Sequence, residues 1–402
     1  MLIPNDLGAS GREASPLITG NPDTPRPVQR YPIEFTGSGS EYFRIWIVNL
    51  LLTLVTFGLY YPWAKVRKLR YFYGNTHVAG HALDFHGDPK RMLRGFLLMA
   101  ALFMAYNMAL KFSPVAGGIA ALIFMGVWPA LFRASMQFRL ANTSWRGLRF
   151  QFMGSMKDAY FVFLAPVLVI GGFFAIGAVL MATRNSAAMV AGVVVMVLAY
   201  LAAIPYAFYR FKKYQHQNYA CGQVRTEFRA SFADVSKVFL KTFGLTIALG
   251  LAAAVLMAVL GGASLISMGG GTQDDRAAMA AMAVPTMFIF MISLYAVPLP
   301  YFQSRMQNLV WTQTGSRDLR FKSHLAFGPL FRQTLINWTL MVFTLGLYWP
   351  FAAIAMARLR MQAVSIHARI DLDTLVSRQK GSLHREGIGD AAADLAGIDF
   401  GL

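Results

Sequence analysis

The chain has 402 residues, of which 56% are apolar and 14% charged, and its formal net charge is +18. Soluble domains are about 45–50% apolar and about 25% charged, so the composition excludes a soluble globular enzyme and points to a polytopic membrane protein. The single cysteine, Cys221, excludes a disulfide framework and a cysteine-based metal site.

Residues 1–30 are polar and rich in proline, without the apolar stretch of a secretory signal. They read as a disordered tail, as do residues 373–402. The stretch 31–372 reads as the membrane domain. Within it, apolar runs lie at 45–63, 95–111, 115–132, 160–182, 188–209, 242–265, 279–303 and 333–357. A span needs about 20 apolar residues. The expectation is an all-α polytopic membrane protein with about eight membrane segments. The runs 45–63 and 333–357 carry Gly and Pro inside them. They either cross in full or break partway, which leaves the side of the termini open.

Lys and Arg concentrate in alternate connections: seven in 64–94, five in 133–159, seven in 210–241 and five in 305–332. The connections between them hold only Lys111, Arg184 and Arg276. Excess Lys and Arg marks the cytoplasmic side, which places the four basic loops in the cytoplasm. The basic charge is thus a topology signal, and nucleic acid is not an expected partner. Long basic side chains at such depths reach for headgroups. Lys65, Arg67, Arg70, Arg133 and Arg210 are the candidate contacts for anionic lipid.

A pattern recurs along the chain. Phe43-Arg44, Asn49, Thr56, Gly58-Leu59-Tyr60 and Pro62 match Phe331-Arg332, Asn337, Thr344, Gly346-Leu347-Tyr348 and Pro350 at identical spacing. Asn75, Gly80 and Phe85 follow Pro62 at the offsets at which Asn142, Gly147 and Phe152 follow Pro129, and Asn218, Gly222 and Phe228 follow Pro205 almost as closely. After Pro298 the pattern thins to Gly315 and Phe321. Alternating runs such as Leu148-x-Phe150-x-Phe152 have the period of strands, with Asn and Gly supplying the turns before them. A small residue stands two places after Phe35, Phe85 and Phe152, as Gly37, Gly87 and Gly154. The unit is therefore strand, membrane helix or hairpin, basic turns, next strand. About five related units are expected, joined by short cytoplasmic strands or hairpins.

The segment Phe35-Thr36-Gly37, Glu41-Tyr42-Phe43, Asn49, Leu54 to Arg67 and Asn75-Thr76 resembles the YjgN-like family of bacterial inner-membrane proteins. The resemblance covers roughly residues 30–372. It implies the bacterial inner membrane as location and brings no catalytic residue, ligand or cofactor.

The chemistry legible in the residues is sparse. Apart from their ends the membrane segments lack Asp, Glu, Lys and His, the residues on which proton-coupled transport depends. Asn49, Asn107 and Asn337 read as buried amides. His77, His81 and His86 with Asp84 and Asp88 are dense but match no standard zinc spacing, and no metal is expected. Gly37-x-Gly39 lacks the context of a phosphate loop. Cys221 has no adjacent base, and no catalytic set appears, so the chain is read as no enzyme. Two readings remain. One is a facilitative transporter or channel for a small solute, with a path along Asn49, Asn337, Gly58, Gly346, Pro62 and Pro350. The other is a membrane scaffold or organiser that engages anionic lipid through the basic turns.

Overall fold

The computed structural model describes residues 28–377 except 184, 223, 268–294 and 375. Among the described residues, five outgoing and five returning helices are joined to one β-sheet. The outgoing helices are α1 (Gly39–Val55), α3 (Pro89–Phe112), α5 (Met156–Ala182), α7 (Phe232–Ser267) and α9 (Phe327–Phe343). The returning helices are α2 (Tyr61–Gly74), α4 (Pro114–Ala141), α6 (Ser186–Gln217), α8 (Pro298–Thr312) and α10 (Trp349–Gln362).

The strands are β1 (Gln29–Phe35), β2 (Thr76–Val78), β3 (His81–Phe85), β4 (Thr143–Trp145), β5 (Leu148–Phe152), β6 (Tyr219–Cys221), β7 (Val224–Arg225), β8 (Glu227–Phe228), β9 (Thr314–Gly315), β10 (Leu319–Ser323) and β11 (Val364–Ala368). They form one antiparallel sheet in the order β7-β6-β5-β4-β3-β2-β1-β11-β10-β9-β8. The two edges, β7 and β8, are separated along the chain only by Thr226, whose amide bonds the carbonyl of Tyr219 at 2.9 Å. The sheet is therefore nearly closed on itself. The short strands and hairpins expected from sequence join into this one sheet: each hairpin pairs with the next, and β11 pairs with β1. Two-residue turns tie the hairpins. Ala79-Gly80 and Arg146-Gly147 have φ of 50° and 75°, and of 52° and 84°. Both residues of such a turn must take positive φ to match strand twist, which is why Gly stands second.

In the two short units the chain follows the broken alternative. Residues 45–63 are not one continuous helix. At the end of α1, Gly58 N donates to Thr53 O at 2.7 Å and Phe57 N to Leu54 O at 3.1 Å. That is a helix stop with left-handed residues at Phe57 (φ 49°) and Gly58 (φ 91°). The chain then turns back into α2, whose first turn holds Pro62, where a missing N–H costs nothing. Leu345, Gly346 and Pro350 repeat the arrangement between α9 and α10. Each segment is thus a reversal. Its tip is apolar and open, with Phe57 98% and Leu345 94% exposed.

Five helices among the described residues are long and apolar enough to span: α3, α4, α5, α6 and α7 as far as Val255. The expected eight segments reduce accordingly. Segments 45–63 and 333–357 break, and most of 279–303 lies outside the described residues. Asn107, expected to be buried, is exposed on α3 and bonds only its own helix at Phe103 O, 2.8 Å.

One hydrogen bond recurs wherever a strand leaves the sheet. The amides of Thr36, His86, Met153, Arg229 and His324 donate to the carbonyls of Asn75, Asn142, Asn218, Gln313 and Ala363 at 2.8–3.0 Å. Each acceptor stands thirteen residues after a buried proline: Pro62, Pro129, Pro205, Pro300 and Pro350. The fourth register therefore starts at Pro300, and counting from Pro298 instead makes the pattern fade. The small residues also find their reason. A Cβ on Gly37, Gly87 or Gly154 would sit 2.5–2.7 Å from the ring of Phe35, Phe85 or Phe152, so the phenyl ring folds beneath the turn. In the fifth place the bulk changes sides: Ser323 replaces the Phe, and Leu325 replaces the Gly, each 3% exposed.

Inside the sheet, Trp145, Leu148, Ala368, Leu372 and Val376 form a buried apolar cluster, with Tyr31, Val78, Leu83 and Cys221 packed on it. These residues come from strands around the whole sheet. Leu372 and Val376 follow β11, and Arg146 in the β4–β5 turn pairs with Asp373. The folded region thus runs past residue 372 and closes the sheet at the end of its turns, away from the helices.

Candidate functional site

The residues proposed for a solute path do not converge. Asn49 on α1 is 7% exposed, and its Oδ1 has no partner. Asn337 on α9 is 3% exposed and accepts from Gln333 Nε2 at 2.9 Å. No hydrogen bond among the described residues joins the two. Gly58 and Gly346 lie in the tips, where an added methyl would meet nothing within 4 Å. Pro62 and Pro350 are buried in the first turns of α2 and α10.

The basic residues divide between two tasks. Some brace the turns. Arg70 reaches the carbonyl of Gly87 at 3.4 Å, Arg133 Nε that of Gly154 at 2.7 Å, and Arg358 that of Gly37 at 2.8 Å, while Asn308 holds Leu325 O at 3.0 Å. Others face outward. Arg67 is exposed, and Arg210 lies over the Phe161 ring at 4.6 Å. Arg305, at the same place relative to its proline, lies 5.5 Å over the Tyr301 ring. With Lys237 and Lys241 of α7 it lines a cleft of about 370 Å³. One carboxylate approaches, Asp234 at 3.9 Å from Lys237.

A third group faces the axis, and the count of charges by loop does not reveal it. The returning helices form an inner ring, each touching the next. Arg139 Nε donates to Tyr73 Oη at 2.9 Å, linking α4 to α2. Phe132 meets Phe211 between α4 and α6, and His216 meets Trp311 between α6 and α8. Arg360 Nε donates to Gln307 Oε1 at 2.8 Å, linking α10 to α8, and Tyr71 and Phe72 of α2 share a buried cluster with Ile354 of α10, which closes the circle. Lys212 of α6 interacts electrostatically with Arg360 of α10 although α8 stands between them. The two cations therefore lie within electrostatic reach of each other. Lys65 and Arg139 form a second such pair. Burial holds the Lys65 ammonium below the usual lysine range, and Arg139 and Lys68 add to the effect. Lys65, Lys212 and the pair Arg139 and Arg360 stand three, seven and ten residues after their prolines, a spacing that falls on one helical face. That is the signal that could have found them.

No returning helix contains Asp or Glu. The ion pairs of the described residues all lie elsewhere, and no cluster of three or more His, Cys, Asp or Glu side chains is placed to hold a metal ion among them. His86, from the dense histidine stretch, meets Ser144 Oγ at 3.0 Å.

Apolar spans over a sheet that gathers all their ends define a multi-pass membrane protein. The chain belongs to the family described as bacterial protein of unknown function (DUF898), whose pattern matches residues 30–395. It is 28% identical over 182 residues to the inner membrane protein YjgN of Escherichia coli O157:H7, which covers 44% of this chain and 46% of that protein. It is 30% identical over 144 residues to the inner membrane protein YjgN of Salmonella typhimurium, over 35% of this chain and 36% of that one. The match thus spans less than half the length of these relatives. No solved structure matches the chain. The protein is a bacterial inner-membrane protein.

Proposed function

We propose that this protein is a non-catalytic organiser of anionic lipid at the cytoplasmic face of the inner membrane, built from five related units. The observation that carries the reading is the absence of Asp and Glu from the returning helices, on which Arg67, Arg210 and Arg305 each stand five residues after a buried proline and face outward. The positive-inside bias supports a cytoplasmic sheet, and β1 and β11, paired in that sheet, lie on the same side. Tips led by Phe57 and Leu345 press into the leaflet, while cations just below them meet headgroups, each worth about 1 kcal/mol near an anionic surface. Solute passage is less well served. Two of the five helix pairs turn back at Gly58 and Gly346, so the ten helices do not all surround a path through the whole bilayer.

The test is thermal unfolding of the purified protein in nanodiscs of phosphatidylcholine with and without phosphatidylglycerol. Phosphatidylglycerol is expected to raise the midpoint, and added salt to erase the gain by screening. Equal midpoints in both lipids at low salt would reject the reading.

A further inference from the structure

We propose that the inner side of the returning helices, bounded by Lys65, Arg139, Lys212 and Arg360, holds the phosphate of one anionic phospholipid that enters from the membrane side. The inference rests on the lipid reading above and adds a single specific site to it.

Three features carry it. First, four helices of one ring carry these cations on the same helical face, and none of the four contains a carboxylate. Like charges gathered out of bulk water repel one another, and a bound anion removes that cost. Arg139 and Arg360 keep exposed surface, so solvent reaches the axis at their level.

Second, the cationic heads are oriented. Arg360 donates through Nε to Gln307 Oε1, and Gln307 Nε2 returns a bond to Arg360 O, both at 2.8 Å. Arg139 donates through Nε to Tyr73 Oη. With Nε engaged, each guanidinium keeps its terminal N–H groups for the paired contacts that phosphate oxygens accept. The planar fork makes such contacts geometrically specific in a way an ammonium cannot.

Third, the way in is restricted. On the far side the sheet is filled by Leu372, Val376, Trp145 and Leu148, and Arg146 fastens the segment through Asp373. This apolar floor closes the axial route from the cytosol. The other end lies beneath the membrane, where α1–α2 and α9–α10 turn back at Gly58 and Gly346.

The experiment is native mass spectrometry of the full chain released from nanodiscs of phosphatidylcholine containing a minority of phosphatidylglycerol. One phosphatidylglycerol is expected to survive activation that strips the other lipids. Lys212→Gln/Arg360→Gln should lower that retained fraction at least tenfold. The general enrichment of phosphatidylglycerol around the protein should persist in that variant. Arg67→Gln/Arg305→Gln should do the reverse. Lys212→Arg, with Arg360 unchanged, keeps the charges and the fork and should keep the lipid, which separates loss of the site from loss of the fold. Excess inorganic phosphate should leave the retained lipid in place. Displacement by phosphate would assign the site to a free ion and overturn the lipid. A wild type with no retained lipid, or glutamine variants that keep it, would overturn the site while leaving the outer belt to stand on its own enrichment.

Discussion

Tyr31 stands opposite Ile366 in antiparallel register, so the first strand of the domain is the neighbour of the last. The contact spans almost the whole described chain, and it converts a row of hairpins into a sheet without an ordinary free edge. Unpaired edges invite association with other chains, and here the edges β7 and β8 are two halves of one stretch. A Tyr31→Cys/Ile366→Cys chain with Cys221→Ser should form an intramolecular disulfide under mild oxidant, seen as a mobility shift reversed by reductant. Absence of the shift in folded protein would contradict the closure.

The Phe-over-Gly packing predicts a sharp asymmetry among glycines. At Gly154 a methyl would lie 2.6 Å from the Phe152 ring and 2.7 Å from the Tyr214 hydroxyl. Gly154→Ala should destabilise by about 1–3 kcal/mol, the usual range for overpacking. Gly118→Ala, with nothing within 4 Å, should be neutral or slightly stabilising, because alanine favours helix. Urea unfolding in detergent distinguishes them, and equal midpoints for the two variants would refute the packing.

Cys221 reports on the floor of the sheet. It packs against the cluster that holds Leu372 and Val376, and burial pushes its thiol up to about 11. The thiolate reacts, so labelling by maleimide should stay slow at pH 8 and climb tenfold per pH unit until near pH 11. Removing residues 371–402 uncovers the thiol and lets its pKa fall toward the ordinary value of about 8.5. Labelling at pH 8 should then speed up by a factor on the order of 100. A rate unchanged by truncation would mean that the segment does not cover the thiol.

Asn49 offers a quieter test. Its Oδ1 is buried without a partner, and an unmet buried acceptor costs about 1–3 kcal/mol. Asn49→Leu should therefore be tolerated or stabilising, whereas Asn337→Leu strands the Gln333 amide that it now accepts and should destabilise. Thermal midpoints in one detergent settle the order, and the opposite order would contradict it.

Much of this arrangement is legible in the chain. Proline, asparagine and phenylalanine at fixed offsets mark the returning helices and strands, because a buried proline, a turn and a ring under glycine are each local demands on residue type. The elements that escape are not local. Nothing near Tyr31 announces Ile366 as its partner. The reversal at Phe57 hides in an apolar run, because a left-handed residue before glycine leaves hydropathy unchanged. The axial cations share their loops with the outward ones, so a count by loop merges the two. Position relative to the proline is what separates Lys212 from Arg210.

The most direct measurement is the lipid composition that accompanies the protein. The chain, purified from native membranes in mild detergent, should carry anionic phospholipid enriched severalfold over its share in those membranes, and high salt should strip most of the excess. A co-purified lipid pool with the composition of the bulk membrane would contradict the account.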